Sequence, residues 1–165
     1  MVREVVHTLP YNWSKTVWTI TFGFYAVAVA VLGLLVWTIV HGCVTGGVIG
    51  LAIALPIFVS IVVYCEGYSP QRLEVSASQI TILRRYDSVT IPRSVILSIE
   101  PLSSKDMRWT MSMGGCGGLY GYFGTFSNRR LGGFTMYATA MDILYLLTTA
   151  EGKKWVINCF EPELL

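Results

Sequence analysis

The residues with the greatest capacity for chemistry fall in one stretch, residues 103–133. Gly118, Gly121 and Gly124 recur every third residue, with Tyr120, Tyr122 and Phe123 between them. Glycine admits backbone conformations that other residues avoid, so such a stretch can aim successive N–H groups at a phosphate. Arg108, Arg129 and Arg130 flank it and could supply matching charge. There is no Gly-Lys-Ser/Thr ending, and the glycines lack the dinucleotide-binding spacing. Two readings stay open. One is a ligand or partner site built from these residues. The other is a set of glycine-permitted turns whose aromatics pack on the fold or on a membrane surface.

Elsewhere the chemistry is thin. Glu100, Asp106 and Asp142 could serve as acid and base, yet nothing in the sequence brings them together. Ser104 and Ser112 have no histidine in their part of the chain, because His7 and His41 are the only two. Cys43, Cys65, Cys116 and Cys159 show neither metal-ligand spacing nor a disulfide frame. We therefore expect no enzyme, no metal and no cofactor. From Glu66 onward there are ten Lys/Arg against nine Asp/Glu, which lacks the basic stripe that nucleic acid requires. Arg84-Arg85 reads as a solvated strand end, with contact to lipid headgroups as the alternative, and Lys153-Lys154 as a solvated hairpin tip.

The elements that must position these residues begin with an anchor. Apolar residues make up 53% of the chain and charged residues 13%, about half the share of a soluble domain. The deficit is concentrated. Residues 16–40 and 43–65 contain no Asp, Glu, Lys or Arg. At about 1.5 Å per residue, each run can span a hydrocarbon core of about 30 Å as a helix. Trp18 and Trp37 lie nineteen residues apart, which sets one indole near each interface. Arg3 and Lys15 precede the first run, Arg72, Arg84 and Arg85 follow the second, and the His41-Gly42 connector has no fixed charge. The positive residues therefore place both termini in the cytoplasm. Gly23, Ala26, Ala30 and Gly33 share one face of the first helix, and Gly46, Gly50 and Ala54 one face of the second. Small faces let helices approach closely, either within this hairpin or toward a partner helix.

After residue 66 the pattern shortens to strands separated by turn residues. Strands are expected at 72–75, 79–84, 89–91, 95–100 and 134–139, with a hairpin of 142–148 and 153–158 around Gly152. In the fourth strand Val95, Leu97 and Ile99 should share one face. The tail Glu161-Pro162-Glu163 reads as the first turn of a short helix. Many strands with one terminal helix predict an antiparallel barrel or sandwich, and the absence of strand–helix alternation excludes a Rossmann-type fold.

The stretch Gly114-Gly115-Cys116-Gly117-Gly118-Leu119-Tyr120-Gly121-Tyr122-Phe123-Gly124, then Leu131-Gly132-Gly133-Phe134, then Tyr137-Ala138-Thr139, resembles the bacterial PH-like domain family. The hairpin around Gly152 and the acid-Pro-acid tail fit it too. The resemblance covers residues 68–165. It departs at Asn158-Cys159-Phe160, where a Ser-Pro-containing turn is usual. The resemblance implies a PH-like barrel used for binding or assembly, and no reaction.

The expected organisation is an α+β membrane protein. Residues 1–15 form a cytoplasmic N-terminal segment, 16–65 a transmembrane helical hairpin, and 66–165 a cytoplasmic PH-like domain. The expected function is a membrane-tethered binding or scaffolding module, with membrane lipids and a protein partner or second copy as its contacts. A structural accessory subunit assembled through its helices is the alternative.

Overall fold

The computed structural model describes residues 6–103 and 105–165. Arg3 and Ser104, named above, lie outside the described residues.

Helix α1 (Lys15–Val40) begins where the Ser14 hydroxyl accepts a hydrogen bond from the Val17 N–H at 3.3 Å. A tight connector containing Gly42, at a φ of 98°, leads into α2 (Val44–Tyr68). This second helix runs past Cys65, the expected end of the apolar run. It stops only where Pro70 forces Ser69 into extended backbone. Both helices are long and apolar enough to cross a membrane, and only 6% of each apolar window is buried within the fold.

On α1 the packing face differs from the one its small residues suggest. Phe24 meets Phe58 with ring centroids 5.7 Å apart, and Leu35 and Ile39 press on Gly50 and Gly47. A Cβ at Gly47 would lie 2.4 Å from the Ile39 side chain and 2.9 Å from the Leu35 carbonyl oxygen, so this position requires glycine. Gly50 faces α1 as expected, and Ala54 is half-buried on the same side. Gly46 is exposed and meets only the Cys43 sulfur. Gly23, Ala26, Ala30 and Gly33 are all exposed. Each residue turns the helix by about 100°, so a seam through Phe24, Ala28 and Leu32 rotates that stripe away from α2.

Two sheets form the rest. The first contains β1 (His7–Pro10), β2 (Pro70–Val75), β3 (Gln79–Arg84) and β4 (Ser88–Pro92) in that order, all antiparallel. Strand β1 precedes α1, so the helical hairpin is inserted between two neighbouring strands, with Leu9 opposite Leu73. Residues before the first helix thus supply an edge of the sheet.

The second sheet has six strands in the order β5-β9-β10-β8-β7-β6. These are β5 (Ile96–Leu102), β6 (Met111–Gly117), β7 (Tyr122–Asn128), β8 (Gly132–Ala138), β9 (Leu144–Thr149) and β10 (Lys154–Asn158). One pair departs from the antiparallel expectation. The β9–β10 hairpin folds back so that β10 lies beside β8 in parallel. In β5 the expected face is also corrected. The pairing with β9 shifts between Ile96 and Ser98, so Ile96 and Ile99 pack inward and Leu97 is 72% exposed.

The sheets stack as a PH-like sandwich and do not close into a barrel. Leu73, Ile80, Ile82 and Ile91 on one sheet meet Phe123, Tyr137, Leu147 and Ile157 on the other. The six-stranded sheet is apolar on its outer face too, where Phe134, Met136, Leu146 and Val156 are buried. Met107, Trp13, Val17 and Leu131 cover that face. The tail forms a 3₁₀ turn (Pro162–Leu164) in place of an α-helical one. Arg93 donates to the Leu164 and Leu165 carbonyls and holds the tail across the sandwich.

Leu147 is fully buried between the sheets, whereas Leu97 faces solvent. Leu147→Ala should lower stability by about 2–5 kcal/mol, and Leu97→Ala should change it little. Denaturation of the full chain in detergent micelles, followed by tryptophan fluorescence, checks the difference.

Candidate functional site

The glycine-rich stretch is a hairpin of two strands rather than a string of turns. Gly115 pairs with Gly124 across β6 and β7, and a Cβ on either would come within about 2.2 Å of the other strand's backbone. Glycine here permits close strand approach. The loop is Leu119-Tyr120, closed by a hydrogen bond from the Gly118 N–H to the Gly121 carbonyl at 2.8 Å. Tyr120 adopts a φ of 60°, a costly conformation for a bulky side chain.

What holds that conformation is the helical anchor. The Tyr120 N–H donates to Thr21 Oγ1 at 3.1 Å, and the Tyr120 and Tyr25 hydroxyls hydrogen-bond to each other. Trp13 meets the Tyr120 ring edge-on at 5.3 Å. Gly118 has a φ of 124°, and an added Cβ would lie 2.5 Å from Ile20. On the α2 side, the Cys65 thiol donates to Cys116 Sγ at 3.5 Å, and Tyr64 meets Phe123 at 6.1 Å. The loop is therefore docked against both helices. Burial first, and then the Tyr25 hydroxyl, raises the Tyr120 pKa and keeps the phenol protonated. Burial likewise raises Tyr122. The Cys65 S–H holds Cys116 below the usual thiol value. Beside the joint, Tyr11, Trp13, Glu66, Gln71 and Tyr120 line a cleft of about 380 Å³.

The sequence-derived residues separate into two groups. Gly118, Tyr120, Gly121, Tyr122, Phe123 and Gly124 belong to the docked end. Arg129 and Arg130 form the turn between β7 and β8, at the other end of a seven-residue strand that spans roughly 20 Å. Asn128 Oδ1 accepts from the N–H groups of Arg130 and Leu131 and shapes that turn. Arg130 pairs with Asp106, whose carboxylate also accepts from the Ser103 N–H at 2.8 Å. Asn128 Nδ2 donates to the Asp106 carbonyl and to Thr110 Oγ1, which pins residues 105–110 beside the turn. Arg108 lies on that segment, 5.7 Å from the Trp109 ring centroid. The three arginines thus gather at the undocked end, and all are exposed.

Two further features lie outside the sequence-derived set. Strand β6 forms one edge of its sheet, and none of its residues is charged. Trp109, Met111 and Met113, just before it and on it, are 80%, 69% and 69% exposed. Isolated apolar residues in a glycine-rich run give no periodic signal that could have flagged them. Arg84 is also misread as solvated. It pairs with Asp87 and lies within 5.4 Å of the Tyr68 and Tyr137 ring centroids, and Arg85 pairs with Glu66. At the other basic pair, Lys153 is solvated beside Glu151, whereas Lys154 reaches the Leu131 carbonyl at 2.7 Å. Among the described residues no group of three His, Cys, Asp or Glu side chains is gathered to hold a metal.

The bacterial PH domain family matches residues 71–163, which is every element from β2 to the C-terminal turn. The chain belongs to that family. No curated protein and no solved structure matches it. The family match does not extend over β1, α1 and α2. PH domains are typically binding modules, and the two apolar helices make this one membrane-associated.

Replacing Gly118 by Val should drive a side chain into Ile20 and force an unfavourable φ, loosening the joint. Tyr120→Phe should cost only about 1 kcal/mol. Thermal midpoints of the full chain in detergent should therefore fall slightly for Tyr120→Phe and far more for Gly118→Val. A Gly118→Val protein that melts with the wild type would contradict the docking.

Proposed function

We propose that this protein is a non-enzymatic recruiting module of the bacterial inner membrane. The two helices cross the bilayer, both termini face the cytoplasm, and the PH domain binds an extended segment of a partner protein along β6. The observation that carries this reading is the bare edge of β6. Sheet edges in stable monomers are commonly guarded by charge, proline or a covering element. This one offers Met-Ser-Met-Gly-Gly-Cys-Gly, bordered by an exposed Trp109. An added strand would find main-chain hydrogen-bonding groups along the edge and apolar contact at Met111 and Met113. Arg108, Arg129 and Arg130 near its start favour a segment with acidic residues at one end, through charge-assisted hydrogen bonds. Tethering concentrates the domain at the membrane, so a weak site suffices for partners that are also there.

A second reading rests on the outward stripe of α1. A Cβ at Gly23 or Gly33 would meet nothing within 4 Å, so this face is open to a partner helix. In that case the protein is an accessory subunit assembled within the bilayer.

A photo-crosslinking residue placed at Met113 in the full chain, in cells, should trap a discrete protein adduct. The same residue at Leu97, on the opposite edge of the sheet, should not. Arg129→Glu should reduce the adduct by about tenfold, equivalent to about 1.4 kcal/mol. A Gly23→Leu/Gly33→Leu double variant should leave the adduct intact. Loss of the adduct in that variant, with survival in Arg129→Glu, would favour the second reading.

The orientation has its own check. Cys43 lies at the connector between the helices and is exposed, whereas Cys159 is buried in the domain. A membrane-impermeant maleimide added to spheroplasts should label Cys43 alone. Labelling that requires lysis would reverse the assigned topology.

A further inference from the structure

Cys65 and Cys116 are 51 residues apart in sequence, yet their sulfurs lie 3.5 Å apart across the joint between α2 and β6. We propose that these two thiols form a redox-active pair that closes into an intramolecular disulfide and fastens the glycine-rich hairpin covalently to the end of α2. A disulfide is about 2.05 Å long, so closure needs an approach of about 1.5 Å. Both residues belong to the inner core, and the Cys116 sulfur is also fixed against the Leu119 carbonyl at 3.1 Å. The pair is asymmetric in access, with Cys65 buried and Cys116 half-exposed. The other two cysteines are placed differently. Cys43 is at the far end of α2, and the Cys159 thiol donates to the Glu161 carbonyl.

This asymmetry assigns the order of reaction with a low-molecular-weight disulfide R–S–S–R as oxidant. Cys116 gives up its proton and attacks one sulfur of the reagent. The reagent's S–S bond breaks, and the leaving thiolate takes up that proton as R–SH. Cys65 then loses its proton and attacks Cys116 Sγ. The mixed disulfide breaks, and the second R–SH leaves with that proton. The two protein thiols are oxidised by two electrons, and R–S–S–R is reduced to two R–SH. The S–H donated by Cys65 favours the thiolate at Cys116, which supports Cys116 as the attacking residue.

The test uses the full chain, reduced in detergent micelles and then incubated with oxidised glutathione. Remaining thiols are capped with N-ethylmaleimide after unfolding in denaturant, so that the buried Cys65 and Cys159 are reached, and the protein is mapped by mass spectrometry. The expected result is a Cys65–Cys116 cross-linked peptide, maleimide on Cys43 and Cys159 only, and full reversal by dithiothreitol. In Cys65→Ser, glutathione should remain attached to Cys116 because nothing resolves it. Maleimide on all four wild-type cysteines would overturn the proposal. So would glutathione left unresolved on wild-type Cys116, or a cross-link that joins any other pair.

Discussion

The ladder between β1 and β2 is the interaction on which the rest of the architecture depends. These strands flank the helical hairpin in sequence and pair with each other in space, from His7 opposite Val75 to Pro10 opposite Arg72. The Tyr11 N–H extends the contact to the Gln71 carbonyl at 3.0 Å. Both ends of the anchor are thereby closed by main-chain hydrogen bonds, and Leu9 and Leu73 carry the closure into the inner core. The second sheet is tied to the same point. The Ser14 N–H donates to the Thr139 carbonyl, and Thr139 Oγ1 donates to the Asn12 carbonyl. Asn158 Oδ1 in turn accepts from the Thr139 N–H. Rotating the helices against the domain would break this buried network, and buried groups left without partners cost about 1–3 kcal/mol each.

The glycine-rich hairpin completes the joint from the opposite side. Its strands can approach closely because they lack side chains where they cross, and its loop can lie flat on α1 for the same reason. A composition that suits this packing also strips β6 of the side chains that normally protect a sheet edge. The docked loop and the bare edge therefore have a common cause. The strained Tyr120 backbone marks where the two demands meet, since a φ of 60° persists only when surrounding contacts over-determine it.

Much of this was legible from local pattern. The charge-free runs marked both helices, and the turn at Gly152 marked the β9–β10 hairpin. The glycine-aromatic stretch pointed to the right family but not to the helices on which its loop docks. Other features depended on long-range pairing. Strand β1 has four residues and ends in proline, so it carries no alternation to read. Its identity as a strand comes entirely from β2. The shift in β5 is an extra residue, Leu97, between Ile96 and Ser98, whose partners Thr149 and Thr148 are adjacent in β9, so it shows only in the pairing of the two strands. Cys65 and Cys116 could not be matched by spacing because the fold joins them across 51 residues. The arginines seemed to belong with the glycines because the hairpin is compact in sequence, whereas an extended strand separates its two ends.

The surface of the helices decides how this molecule can exist. Among the described residues, twenty-one of the twenty-eight exposed large hydrophobic residues lie between Trp18 and Tyr64. Burying one such side chain is worth about 1.5–3 kcal/mol, so leaving them all in water would cost more than a domain's entire stability of about 5–15 kcal/mol. The PH domain cannot cover them, because its core closes on itself and takes from the helices little beyond Val17, Phe24, Cys65 and Tyr68. A hydrocarbon phase resolves this, and its position constrains the domain in turn. The docked loop contacts Ile20, Thr21 and Tyr25, all in the N-terminal half of α1, so that end of β7 is fixed against the helix. The opposite end, with Arg129 and Arg130, is separated from it by the length of the strand. Recognition on β6 would then take place on a surface whose distance and orientation from the bilayer are set by packing, not by a flexible tether. That removes much of the orientational entropy a partner at the same membrane would otherwise lose on binding.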